Sequence, residues 1–203
     1  MVCVKQSCKV GVLMRENNIN KSFIQAIKKL DNSYEFLTSV KTAVASSNAK
    51  YIDKPIPFLY HPIFWSRQDM EELADAHRLM STILQKVVSA YLHNKNFREH
   101  FGFDHLTEKL ILVDPGYKNP FPMARFDVLY HSGQNFKFCE FNTDGSSGMN
   151  EDNVLAQLFL ATKPLQRLGQ EYNLGYFELL ESWVDECLIN YWEFSNSKDL
   201  PNE

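Results

Sequence analysis

The pattern of apolar and polar residues predicts a mainly helical chain with one well-marked β-hairpin. The clearest helix begins at Ser66, where Ser66-Arg67-Gln68-Asp69 approximates a capping box with Asp in place of Glu. Its apolar residues then keep the three- and four-residue spacing of an amphipathic helix as far as Tyr91. The predicted helices are 17–30 with Asn20 as N-cap, 34–49, 66–91, 97–101, 105–113, 151–162 and 177–194, with Pro164 as a helix breaker.

Two runs in the middle of the chain, 124–130 and 136–142, alternate as half-buried strands do. Between them, Gly133 suits the first central position of a two-residue type II′ turn. In the register that this turn sets, Asp127 faces Glu140 and Arg125 faces Asn142 on a polar surface. The opposite surface then buries Phe126, Val128, Cys139 and Phe141. The predicted fold is therefore α+β, helix-rich, with an antiparallel hairpin or small sheet that carries the candidate site.

The polar surface of this hairpin places two carboxylates across from each other. Asp127 and Glu140 would repel, and a cation between them, either Arg125 or a bound metal ion, would resolve the conflict. Carboxylate and amide oxygens are also the ligands that Mg²⁺ prefers, so Asp127, Glu140 and Asn142 form a candidate metal set. A charged hairpin surface is more often simply solvated, and that alternative stays open.

The two strand sequences together resemble a known ligase hairpin. Arg125-Phe126-Asp127 followed by Glu140-Phe141-Asn142-Thr143-Asp144 is similar to the hairpin of glutathionylspermidine synthase and, more distantly, of eukaryotic-type glutathione synthetase. Both are circularly permuted ATP-grasp ligases. The resemblance implies that Asp127, Glu140 and Asn142 hold Mg²⁺ beside the phosphates of ATP, that Arg125 contacts the reacting carboxylate or the γ-phosphoryl group, and that Ser146 or Ser147 contacts a peptide substrate.

The resemblance also implies a reaction and an architecture. A substrate carboxylate would attack ATP to give an acyl phosphate, from which an amine displaces phosphate, with Mg²⁺ and ATP required. The continuation at 145–152 departs from glutathionylspermidine synthase, so the implied enzyme is a related carboxylate–amine ligase that acts on small carboxylates or peptides and amines. The permuted ligases carry their adenine slot and phosphate-binding lysines after this hairpin.

Residues after 150 instead resemble packing helices. We therefore expect the chain to be the N-terminal portion of such a ligase and to be inactive alone. The expected architecture is a partial glutathione-synthetase-like (pre-)ATP-grasp fold. The alternative is a non-catalytic substrate-binding or regulatory module that has lost the ATP-binding half. The expected organisation is a helical region with an extended linker at 1–120, the hairpin with packing helices at 121–194 in the same substrate-side domain, and a polar tail at 195–203.

Composition and charge narrow the classes of partner. The 203 residues carry a formal charge of −4, which gives no basic footprint for nucleic acid. No apolar run is long enough for a membrane span, and the start has no secretory apolar region. Cys3, Cys8, Cys139 and Cys187 lack zinc-ligand spacing, and we expect Cys3 and Cys8 to be unpaired thiols. We expect a cytoplasmic protein that binds neither nucleic acid nor membrane, and a homodimer is compatible with the sequence.

Overall fold

The computed structural model describes residues 2–4, 12–132, 135–143 and 147–199, with side chains from residue 18 onward except that of Ser132. The chain is α+β and 56% helical, so the predicted helix-rich class is confirmed. The helices are α1 (Val12–Lys28), α2 (Ser33–Ala45), α3 (Arg67–His93), α4 (Lys95–Arg98), α5 (His105–Ile111), α6 (Met149–Leu160), α7 (Lys163–Leu168) and α8 (Leu180–Ser195), with a 3₁₀ turn at Glu99–Phe101. The strands are β1 (Val2–Val4), β2 (Lys50–Tyr51), β3 (Lys54–Pro55), β4 (Phe64–Ser66), β5 (Arg125–Ser132), β6 (Asn135–Asn142) and β7 (Leu174–Gly175).

Three small sheets connect these strands among the described residues. β1 lies in the middle of a three-stranded sheet, parallel to β4 and antiparallel to β7. β2 and β3 form an antiparallel hairpin, and β5 pairs with β6. The β2–β3 turn has positive φ at both Ile52 and Asp53 (49° and 62°), the geometry of a type I′ turn that matches the twist of the flanking strands. Sequence patterning did not predict the strand β1.

Local capping signals agree with the structure at the start of α3 and disagree at the start of α1. The backbone N–H of Ser66 donates to Asp69 Oδ2 at 3.0 Å, and the N–H of Asp69 donates to Ser66 Oγ at 3.1 Å, which confirms the reciprocal capping box. The predicted N-cap at Asn20 is wrong, because α1 begins at Val12 and Asn20 lies inside it. Pro164 separates α6 from α7 and lies at the first turn of α7, where its missing N–H costs nothing.

The chain divides into two compact units. The first comprises Met1–Glu71, Ser132–Gln134 and Ser147–Ser182, and the second comprises Glu72–His131, Asn135–Ser146 and Trp183–Glu203. The predicted division at residue 120 and the predicted tail stay predictions, and Leu200 to Glu203 lie outside the described residues.

The core of the first unit is formed by the apolar faces of α1, α2, α6 and α7. Phe23 at the centre of α1 is fully buried and contacts Phe64 and His61 edge-on. The core comprises Ile19, Phe23, Ala26, Phe36, Val40, Val44, Phe64, Phe159, Leu165 and Leu168. Ile24 of α1 and Leu37 of α2 are apolar but exposed. The spacing therefore predicted helices in the regions of α1, α2 and α6, whereas α7 was not predicted.

In the second unit, an arginine fixes the end of the long helix α3. Arg98 Nη1 donates to the carbonyl oxygens of Tyr91 (2.9 Å) and Leu92 (3.1 Å), and Arg98 Nε pairs with Glu108 Oε1 of α5 at 3.0 Å. Only 14% of the Arg98 side chain is exposed, so its charge is largely buried. The carboxylate of Glu108 balances this charge. Arg98 thereby satisfies the last carbonyl groups of α3 and holds α5 against its end.

Candidate functional site

The strand β5 presents Arg125 and Asp127 on one face of the hairpin. Residues two apart on a strand point to the same side, which brings the guanidinium group next to the carboxylate. Arg125 Nε donates to Asp127 Oδ1 at 2.8 Å, and Nη2 donates to Oδ2 at 3.4 Å. The side chains remain 44% and 40% exposed, so solvent and a ligand can both reach this pair.

Asn142 connects this ion pair to Glu140 on the neighbouring strand β6. The hydrogen-bonding environment orients its amide so that the nitrogen donates to Glu140 Oε1 at 3.1 Å and the oxygen accepts from Arg125 Nη2 at 3.3 Å. The four side chains predicted for the polar surface therefore form one continuous chain of contacts, from Asp127 through Arg125 and Asn142 to Glu140. Of the two cations that the sequence left open, Arg125 occupies this position.

The electrostatics of the group follow from these contacts. The hydrogen bond from Arg125 lowers the pKa of Asp127 below its ordinary value, and attraction to the guanidinium charge adds to that effect. The hydrogen bond to Asp127 raises the pKa of Arg125, and attraction to Asp127 and Glu140 adds to the rise. At neutral pH the group therefore presents a fixed positive charge between two carboxylates.

The opposite face of the hairpin is aromatic. Phe126 stacks on Phe141 with ring centroids 4.4 Å apart and also contacts Phe138 at 5.1 Å. His77 of α3 packs edge-on against Phe126 at 5.0 Å while remaining exposed. His77 therefore lies at the edge of the apolar stripe of α3.

The predicted burial of Cys139 is wrong, because its side chain is exposed. Phe138 and Phe141 lie three residues apart on β6, and both contact Phe126, which strict alternation would not allow. The two residues between them, Cys139 and Glu140, are both exposed. We infer that the alternation shifts by one residue here, as in a β-bulge, so that the phenyl rings collect on one side and Cys139 turns to solvent.

The serines that were predicted to contact the substrate lie beyond the end of β6. Ser147 is exposed and belongs to the first compact unit, immediately before Gly148 and the start of α6. Residues 144–146, which include Ser146, and the predicted turn residues Gly133 and Gln134 lie outside the described residues. Glu151 and Asp152 lie in the first turn of α6, where acidic side chains are favourable to the helix dipole, as the sequence predicted.

The oxygen atoms on the polar face are suitable ligands for a hard divalent cation. Asp127, Glu140 and Asn142 offer two carboxylates and one amide oxygen, and Mg²⁺ commonly combines such a small protein set with water and phosphate oxygens. Within the part of the chain that the structure describes, no three His, Cys, Asp or Glu side chains gather as a metal site. In this arrangement Asp127 and the amide oxygen of Asn142 contact Arg125, so a metal ion would share these oxygens with the guanidinium group or displace it.

Comparison of the chain with models of protein families, with curated proteins and with solved structures finds no match. Among the described residues, no helix combines the length and apolar character that crossing a membrane requires. The polar face of the hairpin, with Arg125 between two carboxylates, is therefore the feature on which a functional proposal must be based.

Proposed function

We propose that this chain supplies the Mg²⁺- and carboxylate-binding hairpin of an ATP-dependent carboxylate–amine ligase related to glutathionylspermidine synthase. The proposed fold is the corresponding part of a permuted ATP-grasp architecture. One observation carries the proposal: Arg125, Asp127, Asn142 and Glu140 contact one another on adjacent strands while remaining open to solvent. The residues that carry the sequence resemblance are thus the residues that lie together in space.

Arg125 would bind the oxygen atoms of an incoming carboxylate or phosphoryl group. Its planar guanidinium group presents paired N–H donors, and it already engages both oxygens of Asp127 in this way. An anionic substrate can therefore replace Asp127 as its partner without a change in the geometry of the donor. Asp127, when released from this pair, becomes available to a cation.

Asp127 and Glu140, with the amide oxygen of Asn142, would hold Mg²⁺ in the proposed site. When bound, Mg²⁺ neutralises negative charge on the phosphate oxygens of ATP during phosphoryl transfer. Asn142 can rotate its amide between Arg125 and the cation, because the same oxygen serves either partner. Ser146 and Ser147 would contact the carboxylate or peptide substrate, and an amine would be the second substrate.

The proposal is tested by phosphate release from ATP in the protein encoded by the complete gene, with candidate peptides and amines supplied together. We expect release to require both substrates, and the double variant Asp127→Ala/Glu140→Ala to lower it about 100-fold or more. The matched control is Glu71→Ala/Asp75→Ala, because these carboxylates also pair with arginines, on the exposed surface of α3. Full activity in the hairpin double variant would overturn the site.

The same experiment also tests the alternative hypothesis, a non-catalytic substrate-binding or regulatory module. A complete protein that binds a peptide or amine but releases no phosphate with any substrate pair would favour a binding or regulatory module. In that case, substrate binding should still weaken on Arg125→Ala, because the anion would still use the guanidinium group.

A further inference from the structure

The second compact unit contains a large cavity that the proposed ligase site does not use. It has a volume of about 1010 Å³ and lies between the C-terminal half of α3 and the segment that contains α5 and the turns after it. All of its lining residues fall between Gln85 and Pro120, so the cavity belongs to one unit. Cavities of this size accommodate small organic ligands.

One wall of this cavity is aromatic. Phe101 and Phe103 have nearly parallel rings, with centroids 6.0 Å apart and planes at 24°, and Gly102 between them adopts a left-handed conformation (φ 64°). Tyr91 meets Phe101 edge-on at 5.0 Å. The two phenyl rings are 41% and 48% exposed, although side chains of this type are usually buried. Flat ring surfaces are therefore available on the wall of this cavity.

Another part of the lining is aliphatic. Val87 and Val88 of α3 line the cavity, and so do Ile111, Leu112 and Val113 at the end of α5. The contacts of Arg98 with the end of α3 and with Glu108 hold these two aliphatic segments together.

Tyr91 adds a polar group that lacks a partner. The residue lines the cavity and is only 6% exposed, and its hydroxyl group has no hydrogen-bond partner among the described residues. A buried hydroxyl group without a partner destabilises a protein, and most buried polar groups are satisfied. A ligand that carries a hydrogen-bond acceptor would remove this cost.

We propose that this cavity binds a planar aromatic small molecule that carries a hydrogen-bond acceptor. The ring of the ligand stacks on Phe101 or Phe103 and contacts the aliphatic residues. The hydroxyl group of Tyr91 donates a hydrogen bond to the acceptor atom of the ligand. Because that hydroxyl group is enclosed in the free protein, binding includes a rotation of the half-exposed Phe103 ring. The parallel phenyl rings favour a flat ligand over an acyl chain, which gains nothing from stacking.

Three probes separate the requirements for a ring and for an acceptor. 2-Acetylnaphthalene has both, 2-ethylnaphthalene has only the ring, and 2-undecanone has only the acceptor on a flexible chain. Calorimetric titration of the 203-residue chain should give a dissociation constant for 2-acetylnaphthalene about tenfold below that of either other probe. Equal or tighter binding of 2-undecanone would overturn the proposal.

Substitutions locate the binding within the cavity. Tyr91→Phe keeps the ring and should bind the two naphthalenes equally, while its melting temperature stays the same or rises because an unpartnered hydroxyl group is removed. Phe103→Ala should weaken both naphthalenes about tenfold. Phe177→Ala is the matched control, since Phe177 is similarly exposed, at 40%, and does not line the cavity.

The test compares the affinities of these variants for the two naphthalenes. Should Phe103→Ala fail to fold by circular dichroism, Phe101→Leu, which keeps the apolar bulk, replaces it with the same expected loss. Unchanged affinity in the aromatic-wall variant, or an equal loss in Phe177→Ala, would show that the naphthalenes bind elsewhere and would refute the proposal.

Discussion

Arg125 is the residue on which the polar face of the hairpin depends. It contacts Asp127 within its own strand and Asn142 on the neighbouring strand, and Asn142 in turn contacts Glu140. Without it, two carboxylates on one surface would repel each other with no cation between them. The same charge that would bind an anionic substrate therefore also holds the free hairpin together.

Replacing Arg125 should loosen this hairpin. In Arg125→Ala we expect the backbone amides of β5 and β6 to exchange with deuterium a few-fold faster, because local opening becomes easier when the carboxylates are unpaired. Arg67→Ala is the control, since its pair with Glu71 is more exposed, at 72% and 64%, and lies on a helix. Unchanged protection of both strands would contradict this role of Arg125.

The ionisation of Asp127 should report the same contact. The pKa of Asp127 is lowered in the folded state, so its ionised form stabilises the fold. This contribution to the free energy of folding is present above the ordinary aspartate pKa of about 4 and is lost as the pH falls through the lowered pKa. A carbon-13 NMR titration should therefore show Asp127 ionising below an ordinary aspartate. In Arg125→Ala its pKa should return upward, and an identical titration in both proteins would exclude the pairing in solution.

At the scale of elements, the start of α8 depends on a residue of α6. Glu178 accepts the backbone N–H groups of Leu180 at 2.8 Å (Oε1) and of Glu181 at 2.8 Å (Oε2), which lowers its pKa. Asn153, only 7% exposed, donates to Glu178 Oε1 at 2.7 Å and accepts from the N–H of Leu179 at 3.1 Å. The buried amide thus positions the acid that caps the next helix.

Asn153→Ala should destabilise the protein by about 2 kcal/mol, since it removes two hydrogen bonds at a buried position. Asn150→Ala in the same helix is the control, because it removes a single bond to the carbonyl oxygen of Asn48 and should cost about 0.5 kcal/mol. Urea denaturation followed by circular dichroism measures both. Equal losses in the two variants would argue against a special role for Asn153.

At the scale of the whole molecule, the 203-residue chain should bind Mg·ATP only weakly. Its hairpin offers metal ligands and one arginine, but these leave the purine and ribose of a nucleotide without contacts. Two cavities among the described residues, of about 410 and 1010 Å³, are lined by residues outside this hairpin. Calorimetry should give a dissociation constant well above the micromolar range, and micromolar binding would show that this chain already contains a nucleotide pocket.

What could be predicted from the sequence has a common physical character. The capping box joins Ser66 to Asp69, three positions further along the chain, and Arg125 pairs with Asp127, two positions further. The apolar stripes repeat with the period of the helix. Each depends on neighbours along the chain, whose relative geometry is set by the helix or strand itself. The α+β class and the polar residues of the hairpin were therefore predictable from local pattern.

The rest was decided by tertiary structure. β1 pairs with β4 some sixty positions away in the chain and with the still more distant β7, and nothing in a three-residue strand specifies those partners. Cys139 is exposed, and Phe138 and Phe141 both contact Phe126, an arrangement that the alternation of β6 did not predict. Asn153 and Tyr91 acquired their positions only when separate elements packed together, since burial depends on contacts between segments that periodicity along one segment cannot specify.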